Sequence, residues 1–128
     1  MARPPPLKLF FDGGCRPNPG AIEVAVVVRG KAHVFADLGH GSRLDAEWLA
    51  LIKALEIARS LPERDVILLG DAADVIAQAS GRQRCRGASQ RHWQAFQALV
   101  ADQAPPRLRH VGRAQNLAGI ALAKRHPR

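Results

Sequence analysis

Three acidic residues stand where acids do nothing for folding. Asp12 closes the apolar run Leu7-Lys8-Leu9-Phe10-Phe11 and is followed at once by Gly13-Gly14-Cys15-Arg16-Pro17-Asn18-Pro19-Gly20. Asp is a poor strand residue, and burying its charge is costly unless a counter-charge or a metal meets it. Asp71 follows a second apolar run, Val66-Ile67-Leu68-Leu69, across Gly70. Glu47 sits in the first turn of a helical segment whose Leu51, Ala54 and Ala58 continue its face, so it faces the sheet rather than solvent. Carboxylates converging in one crevice repel each other strongly unless divalent cations neutralise them. Oxygen donors suit Mg²⁺ or Mn²⁺, and the chain offers no cysteine or histidine cluster for zinc.

The elements that must position these acids follow from hydrophobic periodicity. Residues 7–11 read as a first strand and 12–20 as a turn. Residues 22–29 and 32–38 read as a hairpin joined at Gly30-Lys31, with loop at 39–42. Trp48, Leu51, Ile52, Leu55 and Ala58 mark an amphipathic helix over 45–60, ended by Pro62. Residues 66–69 form a strand covered on both faces. A short helix over 72–79 has Asp71 near its N-cap, and residues 81–87 form a loop carrying Arg82, Arg84 and Arg86. A helix over 89–101 sets Trp93, Phe96, Leu99 and Val100 on one side. A strand over 108–111 and a helix over 114–124 complete the order. Three antiparallel strands followed by two parallel ones, with helices between, predict an α/β fold with a five-stranded mixed sheet flanked by helices. If the first and fourth strands are parallel neighbours, Asp12 and Asp71 lie at carboxyl ends, in the crevice where such sheets place ligands.

The 128 residues fit one domain, with residues 1–6 a disordered lead. The longest apolar runs are far too short to cross a bilayer, no segment resembles a signal peptide, and Cys15 and Cys85 read as reduced thiols of a cytoplasmic protein. A monomer is the default expectation. The net charge of +8 is uneven: residues 1–64 hold nine Lys/Arg against seven Asp/Glu, and residues 65–128 hold ten against four. Such an excess attracts polyanions through phosphate neutralisation and counterion release. No stretch pairs a basic face with a strongly apolar one, so nucleic acid is the better partner than a membrane surface.

At four points the chain resembles the type 1 ribonuclease H family. Phe11-Asp12-Gly13-Gly14 through Asn18-Pro19-Gly20 is similar to the family's Asp-Gly-Ser…Asn-Pro-Gly opening, with Gly14 in the place of Ser. Ala46-Glu47 to Ala54-Leu55 is similar to its Ala-Glu…Ala-Leu helix, and Gly70-Asp71-Ala72 to Val75-Ile76 to its Thr-Asp-Ser…Val-Ile segment. Val111-Gly112-Arg113 to Asn116, then Leu122-Ala123, is similar to its closing Val-Pro-Arg…Asn…Leu-Ala. The resemblance implies a ribonuclease H-like fold that binds two Mg²⁺ or Mn²⁺ ions through Asp12, Glu47 and Asp71. It also implies hydrolysis of the RNA strand of an RNA/DNA hybrid by two-metal chemistry. Gly14, Asn18, Arg43 and Asn116 fall where the resemblance implies substrate contacts.

The chain departs from the pattern in three places. The fourth carboxylate expected from the last helix is Ile120, and Asp102 is the last acidic residue of the chain. Asn116, Gln115 or a water could complete the shell. Asp74 could too, though an acid in a first helical turn is also simply favourable. The Asn pair expected ahead of Glu47 is replaced around Ser42-Arg43-Leu44, where Arg43 could hold a phosphate. Arg113 occupies the loop of the family's histidine, and could bind the scissile phosphate or be a surface cation. His40, His92 and His110 read as structural or surface residues; Trp93 and Phe96 read as core. Arg82, Arg84 and Arg86 are candidate contacts to the substrate strand. Glu23, an acid among apolar neighbours, suggests only an edge or partner-facing position. Two functions compete: an active metal-dependent endoribonuclease, and a degenerate relative that binds nucleic acid with little cleavage. Another nuclease or resolvase on the same fold is a more distant alternative.

Overall fold

The computed structural model describes residues 4–101 and 103–126. Of the expected N-terminal lead, residues 1–3 lie outside that range, while Pro4 and Pro5 are exposed and Pro6 is half-buried. The strands are β1 (Leu7–Arg16), β2 (Gly20–Val28), β3 (Lys31–Phe35), the two-residue β4 (His40–Gly41), β5 (Val66–Gly70) and β6 (Arg107–His110). The helices are α1 (Arg43–Ser60), α2 (Ala73–Ala79), α3 (Ala88–Val100) and α4 (Leu117–Arg125), with a 3-10 turn at Arg113–Gln115. The sheet runs β3-β2-β1-β5-β6, and β4 pairs with β2. The β1–β2 and β2–β3 pairs are antiparallel, whereas β1–β5 and β5–β6 are parallel. The α/β class and the three-then-two strand order thus match expectation, with β4 added as a sixth, minimal strand.

Alternation along β2 explains why its sequence reads as an unbroken apolar run. Ile22, Val24, Val26 and Val28 join Leu9 and Phe11 in the main core with α1, α3 and β5. Ala25 and Val27 point the other way, onto Ala118 and Leu122 of α4. A strand buried on both faces has no polar positions to show. Trp48 of α1 and Phe96 of α3 anchor the main core, 0% and 2% exposed, their rings 6.1 Å apart edge to face. Full burial of such aromatic side chains contributes about 2–3 kcal/mol each. The Trp48 indole N–H donates to Gln78 Oε1 at 2.9 Å, so the one polar atom of that ring is satisfied by a buried partner on α2.

Several boundaries differ from expectation, each for a physical reason. β1 does not stop at Asp12. Its pairing with β2 continues to Arg16↔Ala21, so the glycine-rich stretch is strand and only residues 17–19 turn. α1 begins two residues early, because Ser42 and Asp45 form a reciprocal capping box that satisfies the first free amides. The last helix is split, with Asn116 closing the 3-10 turn and capping α4 through its bond from the Ala118 N–H. Trp93, expected in the core, is 38% exposed, while Phe96 is buried as expected. Glu23 lies on an interior strand rather than at an edge, and its charge is met by Arg125 and His126 at the end of α4.

Candidate active site

The crevice arises from unequal strand lengths. β5 pairs with β1 only as far as Phe10↔Leu69, whereas β1 runs on beside β2. Beyond Phe10 one edge of β1 is therefore free, and Asp12 lies on that stretch while Asp71 follows the end of β5. One glycine lets α1 close in, and a second marks how near α4 lies. A Cβ at Gly13 would sit 2.1 Å from the Ala46 carbonyl oxygen, so only glycine allows the first turn of α1 to rest on β1 beside Glu47. A Cβ at Gly119 would come within 3.4 Å of Asp12 Oδ2, which places α4 directly against that carboxylate. Asp12, Gly14, Asn18, Arg43, Asp71 and Arg113 line one open cavity of about 540 Å³, with Glu23 and Ile120 also on its wall.

Asp12 and Asp71 are within hydrogen-bonding reach of each other. Burial first, then the Asp71 charge and that hydrogen bond, and then Glu47, push Asp12 up to about 7 from an ordinary 3.8, with Arg43 opposing. Burial also raises Glu47, against the pull of Arg43. Arg43 Nε donates to Glu47 Oε1 at 3.2 Å, and the Arg43 backbone N–H donates to Asn18 Oδ1 at 3.1 Å. The guanidinium of Arg113 approaches Asp71 Oδ2 at 3.8 Å from a largely exposed position. In geometric terms, Asp12 and Asp71 share the cavity wall, whereas Glu47, expected to join them, is not among the lining residues and is held by Arg43.

Asn116 takes a role that its place in the motif did not disclose. It is 0% exposed; its Nδ2 donates to Phe11 O at 3.0 Å and to Asp71 Oδ1 at 2.9 Å, while its Oδ1 accepts from the Ala118 N–H at 3.1 Å. It is a bracket between β1, Asp71 and α4, not a group open to substrate. Arg82, Arg84 and Arg86 are exposed on the loop between α2 and α3, apart from the residues that line the cavity. Asp74 is exposed on α2 but close enough for its charge to raise Glu47. His92 is structural, as its sequence setting allows, but its partners could not be named in advance. Its Nε2 meets Asp45 Oδ1 at 2.8 Å and its ring stacks on Trp48, centroids 6.2 Å apart, locking α3 to the start of α1. Residues 47 positions apart leave no local signal of their pairing.

The donor set fits a divalent cation at Asp12 and Asp71. Two adjacent, partly desolvated carboxylates bear a repulsion that such an ion relieves, and hard oxygen ligands are what Mg²⁺ and Mn²⁺ take. Among the described residues, no three His, Cys, Asp or Glu side chains gather closely enough to share one ion.

Comparison with known proteins agrees with this fold. The family model described as reverse transcriptase-like matches residues 10–126. Ribonuclease HI of Halobacterium salinarum is 38% identical over 77 residues, which are 56% of this chain and 39% of that protein, so the match spans well under half of the curated relative. The crystal structure of RNase H1 from the same archaeon superposes with a TM-score of 0.77 at 30% identity, covering 92% of this chain and 94% of that one. The N-terminal RNase H domain of a Mycobacterium tuberculosis protein gives 0.76 at 25% identity, covering 94% and 98%. LC11-RNase H1 in complex with an RNA/DNA hybrid gives 0.75 at 25% identity, covering 91% and 92%. With a family match across nearly its whole length and a fold that superposes on a solved RNase H1 at 30% identity, the chain belongs to the type 1 ribonuclease H family.

Proposed function

We propose that the protein is a divalent-cation-dependent endoribonuclease that hydrolyses the RNA strand of RNA/DNA hybrids. The observation that carries this reading is the Asp12–Asp71 pair at the free edge of β1, in a cavity open to a backbone-sized ligand. Asp12 and Asp71 would hold the cation, with Glu47 beside them. When bound, that cation supplies an activated water and neutralises charge on the phosphate. The chain's own residues do the positioning. Asn116 fixes the Asp71 carboxylate through the 2.9 Å bond, so the pair is set before substrate arrives. Arg113, exposed at the cavity rim and aimed at Asp71, meets a phosphate entering from solvent. Gly14 leaves its side-chain position empty, with nothing within 4 Å of a Cβ built there, so a sugar-phosphate strand can lie close to β1. A related chain has been solved with a hybrid bound, and the basic balance of this one suits the same polyanion.

The test uses a hybrid labelled on its RNA strand, with single-stranded RNA and duplex DNA as controls. The wild-type protein nicks the labelled strand in Mg²⁺ or Mn²⁺ and stops in chelator, and Asp71→Asn lowers the rate at least about 100-fold. Hybrid binding without cleavage at any divalent concentration supports the second reading, a binding protein of the same family. That reading draws on Ile120, 40% exposed on the cavity wall in the place of an acid, and on the Arg43–Glu47 contact.

A further inference from the structure

We propose that Arg43 occupies the role of a second divalent ion, so that the site holds a single cation at Asp12 and Asp71. The inference rests on the metal-dependent reading above and deepens it. Arg43 is tied to the cavity wall through its backbone, while its guanidinium stays largely exposed. The Ser42–Asp45 capping box fixes the turn it starts, and its backbone N–H is held by Asn18 across the cavity mouth. From there its guanidinium takes Glu47, one turn along α1, at 3.2 Å. Glu47 is thus engaged by a permanent cation before any metal arrives, since a guanidinium does not lose its proton in a protein.

Charge points the same way. The inner carboxylates Asp12, Glu47 and Asp71, with Asp74 at the edge, are four negative charges. Arg43 and Arg113 supply two positive ones beside Glu47 and Asp71, and Arg16 on the cavity wall supplies a third. Glu23, also on the wall, is matched by Arg125 of α4. The single negative charge left over is already exceeded by one divalent ion, and two ions would leave the cavity strongly positive. Ligand count agrees, because Mg²⁺ keeps most of its waters and is held by one or two carboxylates. Asp12 and Asp71 supply two; Ile120, also on the cavity wall, supplies none. A fixed guanidinium in this place also serves phosphate chemistry, since it stabilises charge that develops on phosphoryl oxygens.

The experiment is a Mn²⁺ titration followed by electron paramagnetic resonance and calorimetry on wild type, Arg43→Gln, Arg43→Lys and Asp12→Asn. No activity readout enters it. Arg43 is largely exposed, so its variants fold, and circular dichroism verifies this. Wild type and Arg43→Lys bind one Mn²⁺ per chain. Arg43→Gln binds the first ion about tenfold more tightly and admits a second, and Asp12→Asn loses the tight site. Two ions bound by wild type, or an Arg43→Gln variant with unchanged count and affinity, overturn the inference while leaving metal dependence standing. A wild-type protein that binds no Mn²⁺ overturns the metal-dependent reading itself.

Discussion

Asp12 carries a carboxylate into a partly dry crevice and sets it against a second one, an arrangement that destabilises the divalent-free fold. Its folded value of about 7 lies above the ordinary 3.8. The penalty is therefore absent below about pH 3.8, grows as pH rises through this window, and is complete above about 7. In chelator at pH 8, Asp12→Asn stabilises the protein by on the order of 1–3 kcal/mol in urea unfolding, and the gain shrinks toward pH 4. Saturating Mn²⁺ stabilises wild type but not the variant. A destabilised Asp12→Asn in chelator contradicts this account of the pair. Asn116 works in the opposite sense: Asn116→Ala removes a helix cap and two donated bonds from a fully buried site. It lowers stability by about 2 kcal/mol and lowers kcat more than KM; an unchanged kcat would mean Asp71 keeps its place unaided. The acids were legible in sequence because a carboxylate bordering an apolar run is anomalous in itself. The bracket formed by Asn116 was not, because an asparagine reads alike whether it faces substrate or spans three buried partners.

At the scale of elements, the site depends on α1 lying flat on β1. Gly13→Ala forces a methyl into the Ala46 carbonyl and costs roughly 3 kcal/mol. Ser42→Ala, which only opens the capping box, costs about 1 kcal/mol. Equilibrium denaturation separates the two, and a Gly13→Ala variant as stable as wild type would remove close helix–strand approach as the cause of the crevice. The periodic helices and both-faces-buried strands were readable along the chain, since 3.6-residue and continuous apolar patterns are local signals. The length of β1 was not. Its Gly-Gly-Cys-Arg stretch has turn-like composition, yet the ladder with β2 holds it extended to Arg16, so pairing overrides propensity. The exposure of Trp93 has a related cause. Helical spacing puts it near Phe96, but the burial boundary of α3 is drawn by α1 and α2, which that spacing does not reveal.

Across the whole molecule, the charge of +8 is spread over surfaces beyond the cavity. Arg82, Arg84 and Arg86 stand exposed together on one loop, able to meet phosphates outside the reacting centre. Replacing all three by Ala weakens hybrid binding and reduces the magnitude of the log–log salt slope, by about 1 for each phosphate no longer neutralised. An unchanged slope assigns phosphate neutralisation to other parts of the surface. Element order alone pointed to three antiparallel strands followed by two parallel ones, since hairpins and crossovers leave few topologies open, but left the neighbouring of β1 and β5 as a condition that the sheet fulfils. The meeting of Asp12 and Asp71 depended on that topology, while the turning of Glu47 toward Arg43 depended on side-chain geometry that no spacing conveys. The most direct measurement is an anomalous difference map from crystals of the protein soaked in Mn²⁺. One peak between the carboxylates of Asp12 and Asp71 is the predicted result; an empty crevice at saturating Mn²⁺, or an ion bound away from both, would contradict it.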